Sequence, residues 1–112
     1  MSNDLFQKLG VSQKFQAALD AANFVTPSQI QDQAIPALIE GRDVLGIAQT
    51  GTGKTAAFGL PLLQRLDARN KPAQPNHPVG LVLAPTRELA IQIHTELSAF
   101  AAATPLRLGC IY

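Results

Sequence analysis

The run Ala48-Gln49-Thr50-Gly51-Thr52-Gly53-Lys54-Thr55 constrains this chain more than any other feature. It follows an apolar segment of strand length, 44–48, and opens a helix-like segment, 55–66. Its glycines let the backbone curl until successive N–H groups point inward, and the following helix adds its positive N-terminal end. That combination is a cradle for phosphate oxygens. In it Lys54 reaches the β- and γ-phosphates of a nucleoside triphosphate, and the Thr55 hydroxyl holds Mg²⁺. The general pattern has a further glycine where this chain has Ala48. The bland reading, a glycine-rich turn with an exposed lysine, leaves the strand-loop-helix order unexplained.

The rest of the chain supplies the setting. Ser12 to Ala22 reads as a helix with Phe15, Leu19 and Ala22 on one face. A second helix starts at Thr26-Pro27-Ser28-Gln29, with Thr26 as cap and Gln29 completing a capping box. It runs toward Glu40 and is expected to be interrupted before Pro36, because proline lacks the N–H donor. After the glycine-rich loop, 55–66 is apolar nearly all round, as in a buried helix, with a kink expected at Pro61. Residues 67–78 form a polar, proline-bearing loop, and Arg87 to Ala102 a helix with Leu89, Ile93, Leu97 and Phe100 at core spacing. The apolar runs 44–48, 80–84 and 106–111 suit parallel strands, the first two buried on both faces. Strands alternating with helices predict an α/β unit with a parallel sheet flanked by helices.

Composition sets outer limits. Apolar residues make up 46% and charged residues 15% of 112, the balance of a folded domain rather than a disordered segment. The formal net charge is only +1, so any nucleic-acid contact comes from a few placed groups and not from a broad basic field. A single cysteine, Cys110, excludes a disulfide framework and makes a reducing cytoplasm the simplest setting. No apolar stretch reaches membrane-spanning length, and no membrane partner is expected.

Two further patterns carry chemistry. Pro85-Thr86-Arg87-Glu88-Leu89-Ala90 directly follows the second apolar run. Ligands of open parallel sheets bind outside the carboxyl ends of the strands, which places Pro85, Thr86 and Arg87 on the rim that also carries the glycine-rich loop. Thr86 can cap the helix, and Arg87 offers a bidentate phosphate donor. The alternative is ordinary capping with Arg87 paired to a neighbour such as Glu88. The third pattern is Asn23-Phe24-Val25-Thr26-Pro27-Ser28-Gln29-Ile30-Gln31. The Gln31 amide offers donor and acceptor together, matching the N6/N7 edge of adenine. Phe6, in an earlier segment, could stack on a base. Read singly, Gln31 is a solvated helix residue and Phe6 a peripheral core residue. His77 reads as solvated and His94 as structural, and Lys8, Lys14, Arg65, Arg69 and Lys71 as surface solubilisers.

Together and in this order, these patterns resemble the DEAD-box RNA helicases, from Phe6 to Ile111. In that family an upstream aromatic and a Gly-Phe-x-x-Pro-Thr-x-Ile-Gln segment read adenine. An Ala-x-x-Gly-x-Gly-Lys-Thr loop binds phosphates, and Pro-Thr-Arg-Glu-Leu-Ala grips the RNA backbone. The resemblance implies nucleotide contacts from Phe6, Gln31 and Ala48, Gln49, Thr50, Gly51, Thr52, Gly53, Lys54 and Thr55. It also implies RNA contacts from Pro85, Thr86 and Arg87. Ala48 then takes the family's form. Asn23 stands for the usual glycine, in a turn where asparagine also tolerates a left-handed backbone. Ser28 replaces a common threonine, and Gln29 a frequent proline.

What the resemblance implies about fold is a P-loop NTPase of the RecA-like kind, incomplete in this chain. Residues 1–40 would form a helical adenine-recognition segment. Residues 41–112 would form the first part of the ATP-binding domain, ending before the family's Asp-Glu-Ala-Asp motif. That motif is not in the sequence, and neither are the Ser-Ala-Thr motif and the second RecA-like domain. The expected function is ATP-dependent RNA unwinding by the complete protein, with ATP, Mg²⁺ and RNA as ligands and little ATP turnover by these residues alone. A DNA-acting helicase of the same superfamily, or a non-catalytic nucleotide- or RNA-binding product, stays open.

Overall fold

The computed structural model describes residues 4–48, 53–69, 71 and 74–112. Short 3₁₀ turns at Gln7–Leu9 and Gln13–Phe15 lead into helix α1, Gln16–Ala21. They are followed by α2, Gln29–Ile39, α3, Lys54–Ala68, and α4, Arg87–Ala101. Helix α3 is central and packs against both α2 and α4. At the α3–α4 crossing, Gly59 lies against Leu97, and any larger side chain there would collide with it.

The core is built where the apolar stripes of these helices converge. Phe15 and Leu19 come from the N-terminal segment, Ile35 from α2, Ala56, Leu60 and Leu63 from α3, and Leu97, Phe100 and Ala101 from α4. Each fully buried leucine, isoleucine or phenylalanine contributes roughly 1.5–3 kcal/mol relative to exposure. Phe24 joins the core edge by stacking on Phe100, with ring centroids 6.0 Å apart. Its position is set by the end of α1. Asn23 takes φ 62°, the left-handed backbone that its sequence position predicts. The Phe24 N–H donates to the Leu19 carbonyl at 2.9 Å and the Asn23 N–H to that of Asp20 at 3.0 Å. These bonds form a Schellman closure, which turns Phe24 back onto the helices.

Three details depart from the sequence reading. Helix α2 continues without interruption through Pro36; α3 holds Pro61 within its span, where the sequence expects a kink and not an end. A proline removes one backbone hydrogen bond, but Ala34, Ile35 and Pro61 are buried in the packed layer, and that packing outweighs the local loss. The cap of α2 is Ser28, not Thr26, and its capping-box partner is Gln31. Residues 12–22 divide into a 3₁₀ turn capped by Ser12 and the short α1.

The larger difference concerns the sheet. Among the described residues there is no β-strand: the runs 44–48, 80–84 and 106–111 join no hydrogen-bonded ladder. Their side chains nonetheless alternate as in an extended chain. Leu106, Leu108 and Cys110 are half-buried, while Arg107, Gly109 and Ile111 are exposed. Gly46 faces Ile30, and Gly80 faces Leu62 and Leu66, whereas Leu45, Ile47, Leu81 and Leu83 are 87%, 86%, 76% and 83% exposed. Each run therefore lies with one face on the helical layer and the other bare. Apolar periodicity predicts which way side chains point, but a ladder also requires a neighbour about 4.8 Å away.

Bare leucine and isoleucine rows promote association. Sedimentation of the isolated 112-residue chain is expected to show concentration-dependent self-association. Leu45→Ser combined with Leu83→Ser should reduce it. A monomeric boundary at every concentration for the unmodified chain would contradict this expectation.

Candidate nucleotide and phosphate site

Helix α3 begins directly at the glycine-rich loop. Gly53 is its N-cap, at φ 83°. That left-handed backbone favours glycine, which also provides no capping side chain, so the first N–H groups of α3 have no side-chain acceptor at the cap. Lys54 is exposed, and its ammonium donates to the Ala48 carbonyl at 2.7 Å, spanning the loop from end to start. The partner is a neutral carbonyl, so the charge stays available to an anion. Thr55, one residue further, is half-buried in the first turn. Gln49, Thr50, Gly51 and Thr52 lie outside the described residues.

Gln31 is brought to this loop by the start of α2. Its Oε1 accepts from the Ser28 N–H at 2.9 Å, and its own N–H donates to Ser28 Oγ at 3.4 Å. Its Nε2 donates to the Gly53 carbonyl at 3.2 Å. The side chain is 2% exposed, so the solvated reading is corrected: Gln31 is a buried strut between the α2 N-terminus and the α3 N-cap. The adjacent capping box explains why. Ser28 holds Oε1 inward and aims Nε2 at the loop.

Phe6 is buried as well. It is 1% exposed, with its ring 6.3 Å from that of Phe24, and it belongs to the core cluster. Its burial agrees with the single-residue reading as a core residue. The cause is the turn at Gln7–Leu9, which folds the ring inward beside Val11 and Phe24.

At the second rim, Thr86 caps α4 by accepting the Leu89 N–H at 3.1 Å. Its hydroxyl oxygen is thereby engaged in the fold. Pro85 and Arg87 are exposed. Arg87 forms no ion pair with Glu88 or any other described residue and instead covers the ring of Tyr112, 5.1 Å from its centroid.

Several contributors are invisible to pattern reading. Gln64 on α3 clasps the N-terminal backbone: Oε1 accepts the Ser12 N–H at 2.7 Å, and Nε2 donates to the Gly10 carbonyl at 2.9 Å. Lys14 pairs with Asp67, and Arg65 donates to the Ile39 carbonyl at the end of α2. Both cations lie at the surface, as the sequence suggests, and each also has a partner there. His94 contacts the Leu108 carbonyl at 3.2 Å, in keeping with its structural reading. Only a fold shows such partners, because they lie far apart in sequence. Among the described residues no three His, Cys, Asp or Glu side chains cluster as metal ligands.

The comparisons with known proteins point in one direction. The DEAD/DEAH box helicase family matches residues 28–112. The chain belongs to this family. It is 48% identical over 106 residues to the ATP-dependent rRNA helicase RRP3 of Pyricularia oryzae, a match covering 95% of this chain and 19% of that protein. It is 44% identical over 107 residues to the DEAD-box ATP-dependent RNA helicase CshA of Geobacillus kaustophilus, covering 96% and 22%. Among solved structures, the RNA helicase Prp28 of Chaetomium thermophilum bound to ADP superimposes with a TM-score of 0.80 at 38% identity, covering 92% of this chain and 24% of that one. Dbp5 of S. cerevisiae, bound to RNA and ADP BeF3, gives 0.75 at 35% identity, covering 88% and 25%. The DEAD-box chain described here thus spans about a fifth to a quarter of these relatives, and its helices and extended runs are a fragment of their RecA-like domain.

Proposed function

We propose that this chain is the nucleotide-gripping part of an ATP-dependent RNA helicase, with residues 1–40 as its adenine-recognition segment and 41–112 as the start of its ATP-binding domain. The observation that carries the reading is the Gln31–Gly53 hydrogen bond, which joins the adenine-recognition segment to the loop expected to hold phosphate. Lys54 supports the β- and γ-phosphates with its free charge, and main-chain N–H groups at the α3 N-terminus add donors. The residues fit Mg²⁺ in one respect. Thr55 can offer a hydroxyl from the first turn of α3, and the other ligands must come from phosphate oxygens, water and residues outside this chain. When bound, Mg²⁺ neutralises charge on the transferring phosphoryl group. Gln31 reads adenine through the lone pair and N–H left over after its bonds to Ser28 and Gly53. Recognition of the base and shaping of the loop therefore share one side chain. Pro85, Thr86 and Arg87 contact RNA sugar and phosphate. ATP and RNA each favour closure against a second RecA-like domain, so each raises the other's affinity.

Phosphate release by the full-length protein tests the reading. It is expected to rise with single-stranded RNA and not with single-stranded DNA. Equal stimulation by DNA would favour the DNA-acting alternative. Gln31→Ala is expected to bring ATP and GTP turnover toward parity and to lower stability by about 1 kcal/mol through the lost capping box. An unchanged preference for ATP would remove Gln31 from base recognition.

A further inference from the structure

The last extended run returns along α4. Its register is set where His94 contacts the Leu108 carbonyl at 3.2 Å, with Leu106 and Leu108 packed against the core. From that point the chain runs four residues to Tyr112, about 13 Å at strand rise. Helix α4 runs seven residues back to Arg87, about 10 Å at helix rise. The two paths end together, and the Arg87 guanidinium lies over the Tyr112 ring, 5.1 Å from its centroid. Tyr112 is 70% exposed and is not part of the core, so packing alone does not account for the pairing.

A guanidinium has two separable binding surfaces. Its face stacks on an aromatic ring, while the N–H groups along its edge remain directed outward in the plane. Stacking therefore leaves the edge free for a bidentate phosphate contact and restricts the rotamers of a long side chain. Thr86 stiffens the base of the same unit by capping α4.

We propose that Tyr112 is a positioning residue for Arg87: its ring holds the guanidinium at the α4 N-terminus so that the edge grips a phosphate of single-stranded RNA. This rests on the reading of Arg87 as an RNA contact. The test is the binding of a short labelled oligouridylate to the full-length protein over a series of salt concentrations. Arg87→Ala should lower the slope of log affinity against log salt by about 0.7, the signature of one lost single-strand phosphate contact. Tyr112→Leu should weaken binding about two- to fivefold, the scale of an exposed cation–π contact, and lower the slope in the same direction. Tyr112→Phe, which keeps the ring, should restore wild-type affinity and slope. Thermal melting of all three variants should match the unmodified protein, because both side chains are exposed. If Arg87→Ala leaves the slope unchanged, the RNA reading of Arg87 fails and the inference with it. If Arg87→Ala lowers the slope while Tyr112→Leu does not, or if Tyr112→Phe behaves like Tyr112→Leu, the positioning role alone is overturned.

Discussion

Lys54→Ala in the full-length protein is expected to reduce ATP-dependent phosphate release by about a hundredfold or more, the scale seen when one preorganised donor is removed from developing negative charge. The lysine begins α3, and its ammonium donates to the neutral Ala48 carbonyl, its one hydrogen-bond partner among the described residues. No other side chain within the described part of the loop supplies a positive charge. Lys54→Arg should rescue poorly, since a planar fork does not replace a compact ammonium within the loop. Stability should change little, because Lys54 is exposed. A steady-state rate for Lys54→Ala close to that of the unmodified protein would refute the role.

Gly53→Ala is expected to weaken ATP binding at least tenfold, by a different route. The backbone at φ 83° costs an alanine about 1–2 kcal/mol. In addition, a Cβ built there would collide with Nε2 of Gln31, the atom that bonds the Gly53 carbonyl. The substitution thus strains the loop and breaks its tether together. Combining Gly53→Ala with Gln31→Ala should destabilise by less than the sum of the single effects, because the collision disappears while the backbone strain remains. Melting temperature and the affinity of a fluorescent ATP analogue check both parts. Strict additivity would show that the two residues are uncoupled.

The sequence predicts helices and their buried faces well, because a period of 3.6 residues survives any environment that covers one side. Leu97 and Phe100 illustrate this: both lie in the core as their spacing requires. The cap of α2 was less legible. Thr26 and Ser28 each precede a glutamine by three residues, and only the position of Gly53 relative to Gln31 favours the second register. Gln31 proved buried rather than solvated for a related reason. Hydrophobicity and amide chemistry describe what a side chain can do, whereas burial depends on the turn that carries it. The runs 44–48 and 80–84 were legible as extended, but not as one-sided: unbroken apolar character suggests burial on both faces, whereas Leu45, Ile47, Leu81 and Leu83 are exposed. Pairing was not legible, since a ladder is a property of neighbours. Tyr112 was silent in the sequence because its partner lies 25 residues away, and a register pinned by His94 brings the two together.

The clasp of Gln64 on Gly10 and Ser12 has a mechanical consequence. Lys54 and Gln64 stand on one rod, ten residues and about 15 Å apart. Any tilt of that rod at the Lys54 end is passed, lever-fashion, to the strap of backbone clasped by Gln64.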